Sequence, residues 1–201
     1  MNIIANVKNE IMFFNEEYMM NAEDRFNFWE EHIKYVVQEA LDLAAKYNAD
    51  SEIVELAAML HDVALMTKNG TRQDHHINGA EITQTILSKY DYPQSKIDKV
   101  KSCVFNHRSS KNGTETEDIC VADADILAHF DNIPMLLNIF FNKNNINNIT
   151  YKNIDINSIS LPELRNRMKE FFDYDYNDLS ERTKQDFNDR YNLICHIVLG
   201  L

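Results

Sequence analysis

The chain is poor in the residues that interrupt regular structure, with 4 Gly and 3 Pro in 201 residues. Sheets and tight hairpins need many special turn residues and helices need few, so this scarcity points to an all-α fold. Cysteine is scarce as well. Cys103, Cys120 and Cys195 are odd in number, far apart and without a CxxC pair. That pattern excludes a disulfide framework and a zinc ribbon and fits a reducing compartment. No run approaches the roughly eighteen consecutive apolar residues of a membrane span. The opening stretch MNIIANVKNEIMFFNEEYMM lacks the basic segment and clean apolar stretch of a signal peptide. A soluble, cytoplasmic protein with no membrane partner is expected. Positive charge is also short: 20 Lys and Arg against 32 Asp and Glu leave a formal charge of −12. Phosphate backbones are repelled at that charge, which argues against nonspecific nucleic-acid binding. An anionic substrate would need a local positive centre.

What the chain does have is apolar residues, 44% of the total, at helical spacing. Trp29, Ile33, Val36, Ala40, Leu43 and Tyr47 recur at steps of three and four, with His32 bordering the stripe. Asp50 or Ser51 is placed to cap the next helix, IVELAAMLHDVALM. That helix is apolar almost all round and should be buried, taking His61 and Asp62 inside with it. After the loop TKNGTRQD, Asp74 is placed to cap a helix from His75 to about Tyr90, and another is expected from Ile97 to His107. DICVADADILAHF reads as helical, apolar apart from Asp123, Asp125 and His129. Beyond it come a short apolar stretch, PMLLNIFF, and an Asn-rich connection, NKNNINNITYKNIDINS. Helices from about Pro162 to Phe172 and Asp178 to Leu199 should finish the chain. The acidic runs NEEY and DYDYND read as solvated faces, and Phe13, Phe14, Phe140 and Phe171 as core or interface.

A lone His-Asp dipeptide means little, since it is most simply a hydrogen-bonded pair. Here, however, His32, His61 with Asp62, His75 or His76, His107, and Asp123 or Asp125 fall one or two to a helix on successive helices. A bundle can aim such side chains into one cavity, as helical metal proteins do. Neutral imidazole suits first-row metals and a carboxylate can bridge two ions, so the set matches a centre of one or two divalent ions among Mn, Fe, Co, Ni and Zn. No residues mark an organic cofactor. His129 reads as a donor behind the ligands or an exposed side chain, and His196 lies outside the pattern.

With these residues in order, the chain resembles the HD-domain metal-dependent phosphohydrolases, whose signature runs H…HD…H…H…D. The matching positions are His32 in EEHIKYVVQEA, His61-Asp62 in MLHDVAL, His75 in DHHINGAEI, His107 in VFNHRSS and Asp125 in ADADILAHF. In that family the middle histidine stands four residues before Gly-Ala, which selects His75 over His76. The last ligand stands in ADxL, which selects Asp125 over Asp123. The resemblance implies an HD-domain helical bundle over residues 1–133, with the motif at about 25–130 and residues 134–201 as a C-terminal helical extension of the same domain.

It also implies an activity, hydrolysis of a phosphomonoester or phosphodiester by metal-bound hydroxide. The partner would be a small phosphorylated substrate, with nucleotides among the candidates. His32, His61 and Asp125 would hold one ion and His75 and His107 the second, with Asp62 bridging. Asp62, His61 and Arg108 are the expected catalytic residues. Lys68, Arg72 and Lys111 are further loop cations near ligand positions. A di-iron oxygenase of HD-like fold, or a non-catalytic metal or nucleotide regulator, fits the same ligands. The aromatic C-terminal helices would suit a homodimer surface or a cover for the cavity.

Overall fold

The computed structural model describes residues 2–132 and 160–200, and every regular element among them is helical. PMLLNIFF, Phe140 and the Asn-rich stretch lie outside the described residues. Helix α1 (Ile3–Asn21) opens the chain, capped by the Asn2 side chain, which accepts from Ala5 N–H. The periodicity analysis did not anticipate it. Its inner face is narrow, with Val7, Ile11 and Asn15 buried, while Phe13 and Met20 on other faces are exposed. Apolar residues on several faces hide the stripe.

A single wide, π-helical turn (Trp29–Ile33) leads into α2 (Lys34–Tyr47), which ends at Asn48 in the left-handed conformation. Asn tolerates that backbone better than most residues. Asp50 then caps α3 (Ser51–Leu60) by accepting from Glu52 and Ile53 N–H. Ile53, Val54 and the whole run Leu56–Leu60 are buried. This helix is the centre of the molecule, packed against α1, α2, α6 (Gln94–Asn106) and α7 (Thr116–Asp131).

The expected single helix through His61 and Asp62 is in fact broken there. Asp62 leaves helical geometry at φ −102, ψ 13, and the short α4 (Val63–Met66) starts beyond it. Neighbouring residues of an unbroken helix point about 100° apart and do not face one target. The break lets His61 and Asp62 serve the same cavity. Asp74 stands at the start of α5 (His75–Ser88), yet its carboxylate turns back to Thr71 and caps nothing. Helix α7 begins with a capping box of Glu115 and Asp118. Asp118 also accepts from Ser102 Oγ at 3.2 Å and Asn106 Nδ2 at 3.2 Å, tying α6 to α7.

The C-terminal part adds α8 (Leu161–Asp178) and α9 (Glu181–Ile194), followed by another wide turn at Cys195–Leu199. Ser160 and Ser180 cap the two helices. Both pack on α7, where the Phe130 ring meets Phe172, Phe187 and Tyr191 at centroid distances of 5.2, 5.1 and 6.1 Å. A polar tie secures the joint. The buried Asp123 carboxylate accepts from Ser180 N–H at 2.9 Å, Ser180 Oγ at 2.5 Å and Thr183 Oγ1 at 2.7 Å. Phe171 is buried as expected, whereas Phe13 is 58% exposed. No helix among the described residues is long and apolar enough to cross a membrane.

Removing the Asp123 carboxylate leaves three donors at a buried joint without their acceptor. Asp123→Ala should lower unfolding free energy by roughly 2–4 kcal/mol in urea titration. It should also quicken proteolysis between α8 and α9. Unchanged stability would mean that the joint contributes nothing.

Candidate metal centre

The break at Asp62 sets the geometry of the whole cleft. Each carboxylate oxygen faces a different group of imidazoles. Asp62 Oδ2 lies 3.6 Å from His61 Nε2 and 3.8 Å from His32 Nε2. Asp62 Oδ1 lies 3.3 Å from His75 Nε2 and 4.0 Å from His107 Nε2. Asp125 joins the first group, its Oδ1 at 3.0 Å from His32 Nε2 and 3.7 Å from His61 Nε2. All six side chains therefore border one space, brought there by the wide turn before α2, the end of α3, the start of α5, the end of α6 and the middle of α7.

Local main-chain bonds explain why the rings point inward. His61 Nδ1 lies 2.8 Å from Ala58 O, His75 Nδ1 3.1 Å from Arg72 O, and His107 Nδ1 2.6 Å from Val104 O. A carbonyl oxygen only accepts, so each Nδ1 carries the hydrogen, and the neutral ring offers its Nε2 lone pair to the cavity. The consequence is electrostatic conflict between the two rings whose tautomers are both fixed in this way: His75 and His107 Nε2 stand 3.0 Å apart. Facing lone pairs at that distance, beside two carboxylates, call for a shared cation. The donor set of neutral imidazoles and ionised carboxylates suits a divalent first-row ion in each group, and among the described residues three triads could hold an ion: His32, His61, Asp62; Asp62, His75, His107; and His32, Asp125, His129.

Protonation states fit the same arrangement. Burial lowers the His107 pKa from 6.5 to about 4, with the His61 ring adding to the effect. Burial likewise lowers His32 against the opposing pull of Asp125. Burial works to raise Asp62, but His61, His75 and His32 outweigh it and hold the carboxyl at about 2. Asp125 is also well below the usual range: burial works to raise it, but the His32 hydrogen bond together with the charges of His61, His32 and His129 outweighs it.

The alternatives left open by sequence separate clearly in space. His76 turns from the cavity and packs its ring on Phe105 at 5.5 Å. Asp123 faces the C-terminal helices. Gly79 shows why a small residue follows His75 by one turn: a Cβ there would meet Val104 Cγ1 at 3.2 Å and the His61 carbonyl at 3.4 Å. Without that close approach α5 would stand off the helices carrying His61 and His107.

The loop cations divide. Lys68, Arg72 and Arg108 line the cleft, and Arg108 Nη1 donates to Gln73 O at 3.0 Å. Lys111 instead pairs with Asp178 at 3.0 Å. His129 is no exposed side chain: it lines the cleft, stacks on His32 and bonds Asp175. Asp175, read as part of a solvated acidic run, is buried, and burial raises its pKa. Its place could have been suspected from the Phe171-Phe172 and Asp175 spacing, which puts Asp175 one turn along the buried face.

The HD-domain family model matches residues 29–129. The fold is similar to a crystal structure of a predicted HD superfamily hydrolase from an uncultured Thermotogales bacterium, with a TM-score of 0.58 and 19% identity over 94% of this chain and 88% of that one. Among curated proteins there is no sequence match.

An imidazole whose pKa falls from 6.5 to about 4 on folding is neutral in both states above the higher value. Below it the unfolded chain takes the proton first. The stability from His107 is therefore complete above 6.5 and declines as pH drops toward 4. In chelator-treated protein the denaturation midpoint should fall across that interval, and His107→Gln should flatten the fall. An identical slope in the variant would assign the loss to other groups.

Proposed function

The chain belongs to the HD-domain family, and on that premise we propose that it is a metal-dependent phosphohydrolase that cleaves a phosphomonoester or phosphodiester, with nucleotides among the candidate substrates. The observation that carries this reading is the Asp62 carboxylate, whose two oxygens face separate histidine groups. His32, His61 and Asp125 with Asp62 Oδ2 would hold one ion, and His75 and His107 with Asp62 Oδ1 a second, drawn from Mn, Fe, Co, Ni or Zn. Bound there, the ions supply Lewis-acid charge and a water acidic enough to attack phosphorus near neutral pH.

The chain's own residues bind and orient the ester. His32, Asp62, His75, His107 and Asp125 line a cleft of about 1160 Å³, which has room for a nucleotide-sized ligand, with His61 enclosed behind them. The cleft lining carries Lys68, Arg72, Arg108 and Arg167 among carboxylates such as Asp24, Glu163 and Glu170, so cations are available to a phosphoryl group although the cleft as a whole is acidic. Arg108 is anchored through the Gln73 carbonyl by one N–H, leaving its other donors for phosphoryl oxygens. Asp62 and His61 keep the reacting end ordered, His61 through its bond to Ala58 O. A covalent cysteine route has little support: all three thiols are buried, and burial raises Cys103 and pushes Cys120 up to about 12.

Protein reconstituted with Mn or Fe under anaerobic conditions should release phosphate from at least one member of a nucleotide and phosphoester panel, and chelation should abolish the release. Bound metal with no turnover on any ester would reject the proposal in favour of a regulator. Oxygen uptake coupled to substrate loss would favour an oxygenase. Arg108→Gln should raise KM about tenfold with the metal content unchanged. A loss of metal in that variant would contradict the role given to Arg108.

A further inference from the structure

Three of the cavity histidines are aimed in the same way, each by a bond from its Nδ1 to the carbonyl three residues earlier. His32 breaks this rule. Its Nδ1 is buried and has no hydrogen-bond partner among the described residues. In the wide turn the Trp29 carbonyl, three residues before His32, accepts from Lys34 N–H. Something other than a main-chain bond must set the His32 ring.

The structure assigns that task to His129 and Asp175, as positioning residues for His32. The His129 ring lies nearly parallel to His32, at a centroid distance of 5.7 Å and an interplanar angle of 20°. Phe171 covers it from another side at 5.8 Å. Its Nδ1 is 2.9 Å from Asp175 Oδ2, on α8. Asp175 is 5% exposed, so the bond is sheltered from water. His129 also stands one helical turn beyond Asp125 on α7, so one helix supplies both the carboxylate that meets His32 Nε2 and the ring that braces its face. Asp175 lies outside the stretch matched by the HD-domain family model. Among the described residues, the C-terminal part of the chain thus meets the His129 ring through Asp175 and Phe171.

This role rests on the reading of His32 as a metal ligand, and it differs from a role as a ligand itself. A ring nitrogen of His129 lies within 4.8 Å of donor atoms on His32 and Asp125, so direct ligation is the competing outcome. If bracing is what matters, any flat ring at the position should serve. If ligation matters, only imidazole will do.

The test is ion affinity, measured by equilibrium dialysis of the full chain against Mn or Co with metal quantification, not turnover. His129→Ala should weaken one of two ions about tenfold or more, in the range seen when the group orienting a ligand is removed, and leave the other unchanged. His129→Phe should stay within about threefold of the unmodified protein, as judged against that same range. Asp175→Asn, which keeps a hydrogen-bonding group in place, should retain the ion that Asp175→Ala weakens. Adding His129→Ala to His32→Ala should change nothing further, whereas adding it to His75→Ala should weaken the ion that remains. Thermal unfolding of each variant separates loss of fold from loss of the ion, and His129→Phe preserves the packing if His129→Ala does not fold.

Two ions bound normally by His129→Ala would overturn the proposal. So would a His129→Phe variant as impaired as His129→Ala, since that result makes His129 a ligand. Because affinity is the readout, a protein that binds two ions yet cleaves no ester fails as a phosphohydrolase and still decides this question.

Discussion

A carboxylate buried among helices is tolerable only where positive charge or hydrogen-bond donors compensate the loss of water. Asp62 has imidazole Nε2 atoms on both sides of its oxygens, and cations held between them and the carboxylate would meet that demand in two directions. Moving it by one helical position would leave one group without its shared oxygen. The interruption between α3 and α4 is therefore a requirement of the site, and the apolar shell around α3 holds that interruption still. Ile53, Leu56, Met59 and Leu60 are almost wholly enclosed, so the end of α3 has no freedom to drift.

Around this point three of the four histidines are held by different pieces of local backbone. His61 and His107 end their helices and bond backward to carbonyls of the last turn, while His75 begins α5 and bonds to the loop before it. These bonds choose the tautomer as well as the direction, and so choose which nitrogen can take a cation. His75 and His107 face one another too closely for neutral lone pairs alone. The same geometry that makes the cavity uncomfortable without a cation makes it a good host for one.

The C-terminal helices are joined to this core at two neighbouring places on α7. Asp123 receives the start of α9, and His129 meets Asp175 of α8. Between them on the same helix lies Asp125, turned the other way into the cleft. One helix thus carries, within two turns, a carboxylate for the centre and two polar ties for the extension. A disturbance of α8 or α9 has a short physical route to the site, through side chains that are packed and hydrogen-bonded.

The helical character of the chain, the burial of the HD segment and the separate segments supplying histidine and aspartate were all legible in the sequence, because they follow from local spacing and composition. His75, chosen through the family's Gly-Ala signature, borders the cavity, and Gly79 beyond it stands close to Val104 and the His61 carbonyl. Other features were not legible. Helix α1 escaped notice because its apolar residues are spread round several faces, and the break at Asp62 escaped because LHDV continues a helical pattern without Gly or Pro. Asp175 looked like one more solvated acid within DYDYND, although its spacing from Phe171 and Phe172 places it on the buried face of α8. Sequence determined which side chains were available and roughly which face of each helix they occupied. Only the packing of distant helices decided which carboxylate entered the cleft, which became a joint and which braced a histidine, for those distinctions depend on neighbours far away along the chain.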